Sequence, residues 1–304
     1  MVSYPSRSYF RGLEGLPVLQ PAPLIQRPAL VDIPQPEPKQ PPKDPPSLPA
    51  RNHKLSIDSM LNGLPFYDQS LPTALRKALN HAGPSGIVLN MPEFIAAKAK
   101  AAQSHAFWKN NHSLHTEEDI GVDKAGKFYR RDTPILVVMH GGGILTPDRA
   151  EAACAEGLLD GSARYKEKEF EDLLKGSLYG TNFPLYSIGK VKKGISDLPH
   201  QFGVVMPYEM ARQTISGYHN KKQFLENPLV IARAASRLDY LEDYYEKAKA
   251  PDNDLGNWHP FEGRDTSIPC GRILFIYNTY MGLTGKMVLT SSGSFVGVTS
   301  KAHK

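Results

Sequence analysis

The sequence predicts an α+β fold: a mixed β-sheet flanked by helices with a C-terminal antiparallel meander, preceded by an extended Pro-rich N-terminal arm. Three observations predict it. Helical and strand patterns mix irregularly through the middle of the chain, Gly-punctuated strands follow one another near the C-terminus, and thirteen of the 26 prolines fall within the first fifty residues. Proline fixes φ and lacks a backbone donor, so such a stretch builds neither helix nor sheet ladder.

The arm covers residues 1–54, and residues 55–304 form a single α+β body, long enough for one core. The arm has two parts. Residues 34–49 are polar and proline-dense, a polyproline spacer that at about 3.1 Å per residue reaches roughly 50 Å. Residues 10–33 interleave prolines with Phe10, Leu13, Leu16, Val18, Leu19, Leu24, Ile25, Leu30, Val31 and Ile33. A solvated linker has no use for these side chains, whereas a segment that docks on a partner does.

In the body, Ser70 reads as an N-cap, with Leu71, Leu75 and Leu79 at helical spacing and Gly83 as the stop. Ile87–Leu89 reads as a short strand, and Pro92 opens an alanine-rich helix through about Lys109. Residues 120–131 read as a polar strand pair around Asp123–Gly126. Ile135–Met139, apolar at every position, predicts a central strand. Thr146-Pro147 starts a helix, and a charged helix over Tyr165–Lys175 ends at Gly176. Strands near 185–192 and 202–206 precede a short helix at Pro207. Asn227-Pro228 opens the longest helix, with Ile231, Leu238, Leu241 and Tyr245 at core spacing. Ile273–Tyr277, Met287–Leu289 and Ser294–Val296 supply the expected meander.

Composition narrows the function. The net charge of +5 divides into +3 up to Lys54 and +2 in the body, a poor surface for nucleic acid. The longest apolar run, Ile135–Met139, is too short to cross a bilayer. Cys154 and Cys270 lack metal-ligand spacing, and residues 1–13 lack an apolar signal core, which together predict a cytoplasmic protein.

The best chemical candidate is His140-Gly141-Gly142-Gly143, at the end of the central strand, with the Thr146 hydroxyl beyond it. Glycines there let backbone N–H groups approach an anion or phosphate. The tetrapeptide is similar to the oxyanion loop of esterases resembling hormone-sensitive lipase, but the chain lacks their Gly-x-Ser-x-Gly elbow. It is also similar to the phosphate loop of amino-acid kinases resembling N-acetylglutamate kinase, but their upstream Lys-x-Gly-Gly strand is missing. His105, His112 and His115 would share a face only if their helix continued, and Asn110-Asn111 ends it, with Thr116 and Asp119 reading as a further cap. Lys190, Lys192, Lys193, Lys221 and Lys222 read as solvated cations, and Tyr240, Tyr244 and Tyr245 as a helix straddling core and solvent. No catalytic set, metal or cofactor is assigned. The sequence therefore points to a structural or assembly subunit whose arm docks on neighbouring subunits or another protein partner. The alternative is a cytoplasmic enzyme with an anion-binding loop at His140–Gly143.

Overall fold

The computed structural model describes residues 55–195, 198–213, 216–259 and 264–300. The arm, including the segment from Phe10 to Ile33 expected to dock on a partner, lies outside them.

The first part of the body is helix-rich. Its elements are α1 (Ile57–Leu61), β1 (Leu64–Asp68), α2 (Leu71–Ala82), β2 (Ile87–Val88), α3 (Met91–Lys100) and α4 (Ala106–Lys109). The Ser70 hydroxyl accepts the Thr73 N–H to start α2, and Gly83 ends it at φ +66°. Asn90 and Glu93 form a reciprocal capping box on α3. The single helix expected through Lys109 stops at Ala101. His105 Nδ1 then accepts the Phe107 N–H and caps a separate short helix.

Two long strands follow, β3 (His112–Asp123) and β4 (Thr133–His140). Residues 120–131 are therefore not a strand pair of their own. The Asp123 carboxylate accepts the N–H groups of Lys127 and Phe128 at 3.1 and 2.9 Å, which ties the chain after Asp123 into a loop between the two strands. Thr116 and Asp119, expected at a helix cap, lie within β3.

Next come α5 (Pro147–Glu156), β5 (Ala163–Arg164), α6 (Glu167–Lys175), β6 (Ser177–Leu178), β7 (Thr181–Asn182), β8 (Leu185–Ser187), α7 (Ile188–Lys192), β9 (Phe202–Pro207) and α8 (Tyr208–Arg212). The expected strand over 185–192 turns helical after Ser187. Then follow β10 (Gly217–His219), α9 (Lys221–Glu226), α10 (Pro228–Ala234), a 3-10 turn over Ala235–Tyr240, and α11 (Leu241–Ala248). The long helix expected here is thus two. Arg237, at φ −139° and ψ 37°, interrupts the hydrogen-bond run between them.

The C-terminal strands are β11 (Leu255–Trp258), β12 (Cys270–Ile276), β13 (Leu283–Thr284) and β14 (Gly293–Val298). The α+β class holds, and the described residues build a nine-stranded mixed sheet in the order β10-β11-β13-β12-β3-β4-β9-β8, with β5 on β12. The meander reaches only from β12 to β13. Met287–Leu289 is not a strand, because Leu289 N–H donates to the Gly161 carbonyl and the Arg272 guanidinium takes the Lys286 carbonyl. β14 leaves for a second sheet, between β1 and β2.

Strand β4 shows why the sheet sits at the centre. Ile135, Val137 and Met139 pack on one side with α2, α5 and α6, and Leu136 and Val138 on the other with α3, α10 and α11. Period-two alternation sends apolar side chains into two cores, each fully buried Val or Leu contributing about 1.5–3 kcal/mol.

Candidate functional site

The glycine loop lies where the sequence puts it, between β4 and α5. His140 is fully buried and its ring is spent internally. Its Nε2–H donates to the Ala232 carbonyl at 3.0 Å, and Nδ1 accepts the Thr116 hydroxyl at 3.2 Å, the hydroxyl oxygen itself receiving the Met91 N–H. Burial pushes His140 down to about 3, so the ring is neutral. Gly141 and Gly142 adopt φ +75° and +103°. A side chain at Gly142 would strike the His115 ring, and one at Gly141 the backbone and ring of His200. Thr146 caps α5 by accepting the Arg149 N–H at 3.2 Å.

The amides that an anion would use are already occupied by a side chain of the protein. The Glu117 carboxylate, from the middle of β3, accepts the N–H groups of Ile144 at 2.5 Å and Leu145 at 3.0 Å. The Gly141 N–H donates to the His115 carbonyl at 2.8 Å. Beside Glu117 on the same strand face is Asp119, which accepts the Tyr165 hydroxyl at 2.7 Å. Both carboxyls are buried and interact directly. Burial pushes Glu117 up to about 7, and burial followed by the Glu117 charge holds Asp119 well above the usual carboxylate range. On the opposite face of β3, Glu118 forms a buried bidentate pair with Arg233. His200 completes this polar belt, its Nδ1 2.7 Å from Glu93 Oε1.

The three histidines His105, His112 and His115 do not share a face. His105 caps α4, His112 packs its ring on Phe94 and Phe107, and His115 turns to Gly142. Among the described residues no three His, Cys, Asp or Glu side chains are grouped to hold a metal ion, and no helix is long and apolar enough to cross a membrane. Lys221 pairs with Glu242 and Glu246, while Tyr244 and Tyr245 are core residues.

The residues that stand out at the surface are others. Tyr218 of β10, Trp258 at the end of β11, and Tyr280 and Met281 in the β12–β13 loop form an aromatic ledge on the outer edge of the sheet. Tyr218 is 47% exposed and Tyr280 45%. The Tyr218 ring lies 5.4 Å from that of Trp258, edge to face at 83°, and 5.8 Å from that of Tyr280. Lys286 Nζ covers the Trp258 ring at 5.2 Å.

The ledge has a rigid base. Trp258 Nε1–H donates to the Met281 carbonyl at 2.9 Å, and the Gly256 N–H to the Tyr280 carbonyl at 2.8 Å. Gly256 and Gly282 let the loop approach this closely, since a Cβ on either would overlap the other segment's backbone. Beneath, Arg233 donates to Asn257 Oδ1 at 2.5 Å and to the Trp258 carbonyl at 2.9 Å. Sequence reasoning missed the ledge because its members are spread from Tyr218 to Met281. The available signal was weak: large side chains beside turn residues, as in Asn278-Thr-Tyr-Met-Gly282.

No protein-family model matches the chain, and no curated protein matches its sequence. Among solved structures, the chain is similar to one described as accommodating massive sequence variation in Nanoarchaeota by the C-type lectin fold. The two are 24% identical with a TM-score of 0.59, over 78% of this chain and 97% of the other. The likeness is one of fold.

Proposed function

We propose that this chain is a recognition and assembly protein. The Tyr218–Trp258–Tyr280 ledge of one copy receives residues 10–33 of the arm of another, and residues 34–49 supply the reach. The observation that carries this reading is the ledge itself: the Trp258 and Tyr280 rings each against that of Tyr218, the two tyrosines about half exposed, on a base fixed by Arg233 and two glycines. Tyrosine and tryptophan give large contact areas at low entropic cost and dominate protein-recognition surfaces. Aromatic ledges also suit proline-bearing extended segments, whose conformation is largely fixed before binding. The likeness to a C-type lectin fold that accommodates sequence variation supports a scaffold whose surface residues can change while its core stands.

The anion-binding enzyme reading has less support, since Glu117 occupies the Ile144 and Leu145 amides and His140 faces inward. The test is competition. Excess synthetic peptide spanning residues 10–33 lowers the solution mass of the full-length protein, and the same peptide with its prolines replaced by alanine does so less. A mass indifferent to the peptide would overturn the reading.

A further inference from the structure

Behind α3 the body buries a cation that has no counter-ion among the described residues. Lys98 is fully buried, and among the described residues its one hydrogen bond is from Nζ to the Tyr277 carbonyl at 2.7 Å. Nζ lies 4.6 Å from the centre of the Trp108 ring and 5.9 Å from that of Tyr244. These rings are near parallel, 19° apart in plane with centroids 6.3 Å apart. No carboxylate among the described residues reaches Lys98. Aromatic faces offset part of the cost of burying an ammonium, but buried charges are ordinarily paired outright.

The same neighbourhood contains donors with nothing to donate to. The Trp108 indole N–H and the Tyr244 hydroxyl are buried without a hydrogen-bond partner. Indole N–H and ammonium only donate, and a phenol hydroxyl donates readily. What the cluster lacks is an acceptor, and an unsatisfied buried group points to a missing water or ion. Complete burial of Lys98 and Tyr244 admits only a small one.

We propose that Lys98, together with the Trp108 indole N–H and the Tyr244 hydroxyl, binds a small monovalent anion of the halide class. The anion accepts from the ammonium, with the indole N–H and the phenol hydroxyl as its further donors. A water molecule would satisfy the neutral donors but leave the ammonium uncompensated. Without an anion, burial pushes Lys98 down to about 7, and the amine escapes its cost by losing a proton.

Bromide is the probe. Thermal unfolding of the full chain is followed in sodium bromide and in sodium gluconate at equal ionic strength, and crystals are soaked in bromide for anomalous scattering. The expected results are a saturable rise of Tm in bromide over gluconate and an anomalous peak beside Lys98 Nζ. Lys98→Met abolishes both, with the thioether filling the aromatic bracket. Tyr244→Phe and Trp108→Phe, each removing one donor, weaken the bromide response and keep the test open if Lys98→Met does not fold. Equal Tm in the two salts, or a full bromide response in Lys98→Met, would overturn the proposal in favour of a neutral amine and bound water.

Discussion

Arg233 and Glu118 form a bidentate ion pair in which both side chains are completely buried, with Nε–Oε1 at 2.7 Å and Nη2–Oε2 at 3.0 Å. The pair joins α10 to β3, and the rest of the guanidinium continues to Asn257 and the Trp258 carbonyl. One side chain therefore links the centre of the sheet to the base of the ledge. Removing one partner of such a pair strands a buried charge. Arg233→Met and Glu118→Gln are each expected to lower stability by about 3–5 kcal/mol, read by urea denaturation. The double variant Glu118→Leu, Arg233→Met recovers much of that loss in stability but not the ledge geometry, so its self-association stays weak.

The Glu117–Asp119 pair sets a pH dependence with a definite sign. Glu117 is raised from 4.5 to about 7 in the folded protein, so the folded state holds more protons than the unfolded state between those values. Stability contributed by the protonated form is fully present below about 4.5 and is lost as pH rises through about 7. Asp119, also raised, acts in the same direction. Chemical denaturation across this range should show the decline, and Glu117→Gln should flatten it while lowering stability at acid pH, because one amide oxygen replaces two acceptors.

Glycine substitutions separate a packed loop from an open one. A Cβ at Gly143 would overlap Glu117 Oε1, whereas at Gly189, on α7, nothing lies within 4 Å. Gly143→Ala is expected to cost roughly 1–3 kcal/mol, and Gly189→Ala to be neutral or stabilising by up to about 1 kcal/mol. Thermal unfolding of the two single variants compares them directly.

Ledge substitutions should do the opposite of core ones. Tyr218→Ala and Tyr280→Ala remove half-exposed rings that close no hydrogen-bond network, so each should change stability by no more than about 1 kcal/mol while weakening self-association severalfold. Calorimetry and sedimentation on the same samples distinguish a lost contact from a lost fold.

Much of the scaffold is legible in the sequence, where local chemistry decides. Ser70 and Gly83 bound α2, Thr146-Pro147 opens α5, and the apolar run at Ile135–Met139 is the core of a strand buried on both faces. Tertiary competition decided the rest. The run His112–Asp119 has polar residues on both faces and no period, so it reads as loop and cap, and only residues from 120 on read as strand. It is a central strand because Arg233, Tyr165 and the Ile144–Leu145 amides, all distant in sequence, satisfy its carboxylates one by one. His140–Gly143 is legible as a special loop, but not the identity of the carboxylate that fills it, which lies more than twenty residues upstream. The ledge depends on pairing Gly217–His219 with Leu255–Asn257 and on a close approach of Gly256 to Gly282, neither of which has a local signature.

The solution mass of the full-length protein against concentration, measured beside the double variant Tyr218→Ala, Trp258→Ala, tests the central claim most directly. The account predicts a parent mass that climbs above the 33.6 kDa of one chain as concentration rises, and a folded variant that stays there. A variant that assembles as the parent does, or a parent that is monomeric throughout, would contradict it.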